Sequence, residues 1–170
     1  MSDKNEVLKA VIDFERMGYG YYAEVATKSI NPLTRKVFES LAAQEKDHIV
    51  QAEAIFAGRD LSGFSRGNRP DLEEIIKGCF VAFSSEERQA WKMDNAEAYL
   101  RAMDLERQGC NMYEQLAAKT EDAETAGLFR RMQGEEEKHF EALENTYAYF
   151  ADPGDWQHED ERLTWNWMNT

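Results

Sequence analysis

A chain of 170 residues with a formal net charge of −13 cannot draw polyanions by bulk electrostatics, which excludes nucleic acid and anionic membranes as partners of that kind. Its two cysteines, Cys79 and Cys110, form no CxxC pair, which excludes a zinc ribbon and other CxxC metal sites. Plentiful charge with only 10 glycines and 3 prolines favours long amphipathic helices in one domain with its own core, and makes cations the natural ligands.

Taken in chain order, the first helix is predicted from about Lys4 to Ser29, where Asn31-Pro32 breaks it. No signal-peptide core precedes it in MSDKNEVLKAVIDFER, and no run reaches transmembrane length. With two isolated thiols, this points to a soluble cytoplasmic protein. The second helix is predicted from about Leu33 to Ala57, with Gly58 as its stop. A connection of about 35 residues follows, loop-like in GRDLSGFSRGNRPD and then helical from about Leu72 to Phe83. The third long helix is predicted from about Asp94 to Thr120, with Asp94 and Glu97 spaced as a capping box. The fourth runs from about Asp122 to Phe150, before Asp152-Pro153-Gly154. The bundle thus occupies residues 1–150. The tail, residues 151–170, carries three tryptophans and is expected to dock on the bundle or on a partner subunit.

The chain also repeats itself at an offset of 91 positions. FERMGYGYYAEVATKS (14–29) falls on LERQGCNMYEQLAAKT (105–120). Glu15 then matches Glu106, Gly18 matches Gly109, and Tyr22 matches Tyr113. Further on, Phe38 matches Phe129, Glu45 matches Glu136, and His48 matches His139. So long a period is no solenoid repeat. It describes a duplicated helical hairpin, hence an all-α four-helix bundle with one long crossover containing a short helix.

Each predicted helix carries one continuous stripe in steps of three and four. The stripes are Leu8, Val11, Glu15, Gly18, Tyr22, Val25; Phe38, Leu41, Glu45, His48, Ala52, Ile55; Tyr99, Ala102, Glu106, Gly109, Tyr113, Leu116; and Phe129, Met132, Glu136, His139, Leu143, Tyr147. All are apolar or small except for four glutamates, two histidines and the tyrosine hydroxyls. Glu15 lies about 16 residues before the Asn31 turn and Glu45 about 14 after it, while Glu106 and Glu136 each lie about 15 from the turn near Thr120. At about 1.5 Å of rise per residue, all six groups meet midway along the bundle.

Bare carboxylates that close cannot all stay ionised in a dry core. Four glutamates and two neutral imidazoles carry the charge that two divalent cations balance. Oxygen and imidazole donors without thiolate suit iron or manganese rather than a closed zinc site. A lone Glu-x-x-His is a weak signal. Two of them, at one offset, on apolar faces and at matched heights, make a strong one.

On these residues the chain resembles the rubrerythrin-like branch of the ferritin-like superfamily over roughly residues 5–150. The motifs that carry the resemblance are Glu15, Glu45-x-x-His48, Glu106 and Glu136-x-x-His139. It implies a ferritin-like bundle holding two iron or manganese ions per chain. Glu45 and Glu136 would bridge them, Glu15 and Glu106 would be terminal ligands, and His48 and His139 would each complete one ion. It also implies that Tyr22 and Tyr113 orient carboxylates. The implied activity is non-haem di-iron reduction of hydrogen peroxide or dioxygen, with electrons from a separate rubredoxin-like donor and the chain as a homodimer. Ferroxidase or iron handling, a dimanganese catalase-like enzyme, and a non-enzymatic metal-stabilised bundle are the alternatives. The chain departs from the family in carrying neither of the two CxxC pairs expected of a C-terminal rubredoxin-like domain. It also has Gly109 where rubrerythrins carry a further glutamate. Cys110 has no role in the site, His158 lies outside it, and Glu73, Glu74, Glu86, Glu87 and Glu137 are expected as solvated surface.

Overall fold

The structure, a computed structural model, describes residues 4–60, 62 and 70–151. These fold into six helices: α1 (Lys4–Lys28), α2 (Pro32–Phe56), α3 (Leu72–Ala82), α4 (Ser85–Gln89), α5 (Ala96–Lys119) and α6 (Ala123–Ala151). Among the described residues there is no strand, and no helix is long and apolar enough to cross a membrane. The long helices form two antiparallel hairpins, α1 with α2 and α5 with α6. The predicted tail falls outside the described residues from 152 onward, and so does its expected docking.

Local chemistry sets the helix ends. Pro32 opens α2, and the Asn31 side chain caps it by accepting from the Thr34 N–H at 2.9 Å. Past α2 the chain turns at Gly58, whose φ of 60° lies in the left-handed region that glycine tolerates. The predicted Asp94–Glu97 capping box is not what forms. Asn95 caps α5 instead, accepting from the Ala98 N–H at 3.0 Å. Asp94 is drawn elsewhere: its carboxylate accepts the backbone N–H groups of Ile30 and Asn31 at 2.6 and 3.0 Å. That contact ties the α1–α2 turn to the entry of α5.

The connection holds the predicted α3, which buries Leu72, Ile76 and Phe80 against α2 and α6, with Phe80 edge-on to Tyr149 at 5.0 Å. It also holds a helix the periodicity did not reveal. α4 has no buried residue and is fixed by a reciprocal capping box between Ser84 and Glu87.

The stripes face inward as expected. Val11, Tyr22, Phe38, Leu41, Ala52, Tyr99, Ala102, Tyr113, Phe129, Met132 and Leu143 are all buried. The apolar core is not continuous, however. One cluster centres on Tyr22, Leu33, Phe38, Leu41, Tyr99 and Leu143, where α1 and α6 end and α2 and α5 begin. The other centres on Val11, Ala52, Tyr113, Phe129 and Met132 towards the opposite end. Between them lies a polar layer.

Candidate metal centre

That layer consists of Glu15, Glu45, His48, Glu106, Glu136 and His139, each no more than 4% exposed. Every long helix contributes to it: Glu15 from α1, Glu45 and His48 from α2, Glu106 from α5, Glu136 and His139 from α6. The structure therefore brings together all six residues singled out in the sequence. They form two four-residue groups, Glu15, Glu45, His48 and Glu136 in one and Glu45, Glu106, Glu136 and His139 in the other. Within each group one donor atom per residue lies within 4.8 Å of the rest. Glu45 and Glu136 belong to both.

The histidines present the same nitrogen inward. His48 Nδ1 lies 3.1 Å from Glu136 Oε1 and 3.5 Å from an oxygen of both Glu15 and Glu45. His139 Nδ1 lies 3.2 Å from Glu106 Oε2 and 3.4 Å from Glu136 Oε2. Outward, His48 Nε2 meets Glu135 Oε2 at 3.0 Å and His139 Nε2 meets Gln44 Oε1 at 2.9 Å. Acceptors on both Nε2 atoms keep a hydrogen there, so Nδ1 is the nitrogen that meets the carboxylates, and the one that would offer a lone pair once its own proton leaves. The two rings stack across the centre with centroids 5.9 Å apart.

The tyrosines cross between hairpins. Tyr22 donates to Glu106 Oε1 at 2.5 Å, and Tyr113 donates to Glu15 Oε1. Each hydroxyl fixes one carboxylate oxygen and leaves the other for the centre. The glycines make the same room at both matched positions, though not equally. A Cβ on Gly18 would stand 3.7 Å from Glu45, whereas one on Gly109 would stand 3.1 Å from Glu136 Cδ.

Electrostatically the ion-free layer is held by protons. Burial, reinforced by Glu136, pushes the Glu106 carboxyl up to about 8. Burial and the neighbouring Glu136 and Glu15 charges raise Glu45 well above the carboxylate range. Burial alone would lower both histidines. Glu106 and Glu136 outweigh it at His139, which rises to about 9, and Glu136 and Glu135 outweigh it at His48. Glu136 moves the other way, because the facing His48 charge and hydrogen-bonding contacts with Glu106, His139 and His48 overcome the cost of its burial.

Protons do not satisfy the layer fully. Glu15 Oε2, His48 Nδ1 and Glu136 Oε1 are buried and make no well-aligned hydrogen bond among the described residues, meeting only as close charged neighbours at 3.1 and 3.5 Å. All three belong to the same four-residue group. Buried polar atoms are normally well paired, and a bound cation would resolve this gathering of poorly satisfied atoms. Oxygen and imidazole donors in this number fit a borderline divalent metal, and the cluster is compatible with a metal site.

Gln44 and Glu135 escaped sequence reasoning because they lie one residue off the ligand stripe. Their one signal was that the 91-residue offset matches them to each other. Of the residues expected on the surface, Glu74, Glu86, Glu87 and Glu137 are exposed, whereas Glu73 is half-buried. Comparison with protein-family models, curated proteins and solved structures returned no match, so the functional reading stands on the residues themselves.

Proposed function

We propose that this chain is a two-metal carboxylate oxidoreductase with a ferritin-like bundle similar to that of rubrerythrins. It holds a pair of iron ions and reduces hydrogen peroxide or dioxygen with electrons from a separate donor protein. The observation that carries the proposal is the pair of buried Glu3His groups sharing Glu45 and Glu136. Two shared carboxylates, one private carboxylate and one imidazole on each side are what two adjacent cations require.

In this reading Glu45 and Glu136, which belong to both groups, would serve both ions. Glu15 and Glu106 each serve one, held in orientation by Tyr113 and Tyr22. His48 and His139 offer Nδ1 because Nε2–H is engaged by Glu135 and Gln44. When bound, two ferrous ions supply together the two electrons that reduce a peroxide O–O bond. The chain's own part is to hold the anionic ligands, exclude bulk water with the two apolar clusters, and keep phenolic hydroxyls beside the terminal carboxylates.

The test is metal content by mass spectrometry on protein purified anaerobically from cells supplied with iron and manganese, followed by peroxide. About two irons per chain, lost in Glu45→Ala/Glu136→Ala and rapidly oxidised by peroxide, is the expected result. Two manganese ions with peroxide disproportionation would replace it with a catalase-like reading. Iron oxidised by dioxygen but inert to peroxide would favour ferroxidase activity. Bound metal without redox turnover would leave a metal-stabilised bundle, and no metal at all would overturn the proposal.

A further inference from the structure

The duplication that matches the metal-facing residues also matches Gln44 with Glu135, and here the halves differ. Each of the two reaches across to the opposite hairpin and meets the outer nitrogen of a histidine, Glu135 at His48 and Gln44 at His139. The centre itself is matched in kind: two shared glutamates, then one glutamate with its tyrosine and one histidine on each side. The difference is that one imidazole N–H faces a carboxylate and the other a neutral amide.

We infer that Glu135 makes the two metal positions inequivalent, so that a divalent cation fills the His48 position first and is held more tightly there than at the His139 position. The inference rests on the two-metal reading. Its physical basis is that an imidazole whose N–H donates to a carboxylate becomes the more basic ligand through its other nitrogen. The Glu135 charge adds direct attraction for the cation, and its side chain is only 20% exposed, so water screens it weakly. The Gln44 carbonyl accepts the same hydrogen bond with a dipole alone. Its amide nitrogen reaches the Ser40 carbonyl at 3.5 Å, which keeps the oxygen turned to His139. Glu135 and Gln44 are therefore positioning residues that act through the histidines.

The experiment is calorimetric titration of the ion-free, full-length chain with Fe2+ under strictly anaerobic conditions, with helicity checked by circular dichroism. Wild type is expected to bind in two steps separated by about 10–100-fold in affinity, the usual range for such outer partners. Glu135→Gln is expected to weaken the tight step by about that factor and merge the two. Gln44→Glu is the gain-of-affinity variant and should tighten the weaker step. His139→Ala keeps the tight step and His48→Ala loses it. Two equal steps in wild type, or a tight step that Glu135→Gln leaves unchanged, overturns this inference and leaves the two-metal reading standing. A chain that takes up no Fe2+ overturns both.

Discussion

The two matched glycines allow a controlled perturbation of the centre. Both sit inside long helices, where replacing glycine by alanine gains about 1 kcal/mol of helix stability when nothing obstructs the new methyl group. At Gly18 that methyl would lie 3.7 Å from Cγ and Cδ of Glu45, an ordinary contact. At Gly109 it would lie 3.1 Å from Cδ and 3.3 Å from Cγ and Oε1 of Glu136, closer than carbon atoms settle. Glu136 cannot withdraw freely, because His48 Nδ1 and His139 Nδ1 stand 3.1 and 3.4 Å from its two oxygens. Gly18→Ala is therefore expected to raise the ion-free Tm by about 2–4 °C, the response of a chain this size to 1 kcal/mol, with metal binding intact. Gly109→Ala is expected to lose that gain in displacing Glu136 and to weaken metal binding on the order of 10-fold. Thermal unfolding of the ion-free proteins and anaerobic Fe2+ titration read the two effects. Equal stabilisation by both substitutions, with equal metal affinity, would refute the claim that Gly109 is there to accommodate Glu136.

Removing either tyrosine hydroxyl leaves a buried carboxylate oxygen without its donor. Tyr22→Phe and Tyr113→Phe should each cost about 1–3 kcal/mol in urea unfolding of the ion-free protein, and two neutral variants would show these contacts to be dispensable. The pH response follows from the raised groups. Glu106 at about 8 and His139 at about 9 hold protons in the fold that the unfolded chain releases near 4.5 and 6.5. Their contribution is complete at low pH and disappears as pH rises through those folded values, while the lowered Glu136 contributes only above its unfolded value. The urea midpoint of the ion-free protein should thus fall between about pH 5 and pH 9, and metal uptake should release protons and tighten as pH rises. A flat or rising midpoint over that range contradicts the assignment.

The centre was legible in the sequence because two independent periodicities agree there. Steps of three and four place Glu15, Glu45, Glu106 and Glu136 on otherwise apolar faces, and the 91-residue offset repeats the pattern with both histidines. Buried ionisable residues stand out from such faces, whereas the groups that support them do not. Gln44 and Glu135 sit on the helix flank among ordinary polar residues, and only the approach of the hairpins gives them a partner. Asp94 and Asn95 are both good caps. The choice between them is made by the N–H groups of Ile30 and Asn31, some 60 residues away in the chain. α4 has no apolar face for a periodicity to find, and its trace in the sequence is the Ser84-x-x-Glu87 pair.

The polar layer divides the core unequally. Among the described residues, 17 buried side chains form the cluster reinforced by α3, and 7 form the one around Val11, Ala52, Tyr113 and Met132. Cohesion scales with apolar area removed from water, so the end with the smaller cluster is the one that opens more cheaply in local fluctuations. Backbone amides of α1 before Glu15 and of α2 after His48 should exchange with solvent faster than those around Phe38 and Tyr99. Breathing at that end would give small solutes a passage to the buried carboxylates without separating the hairpins at the other.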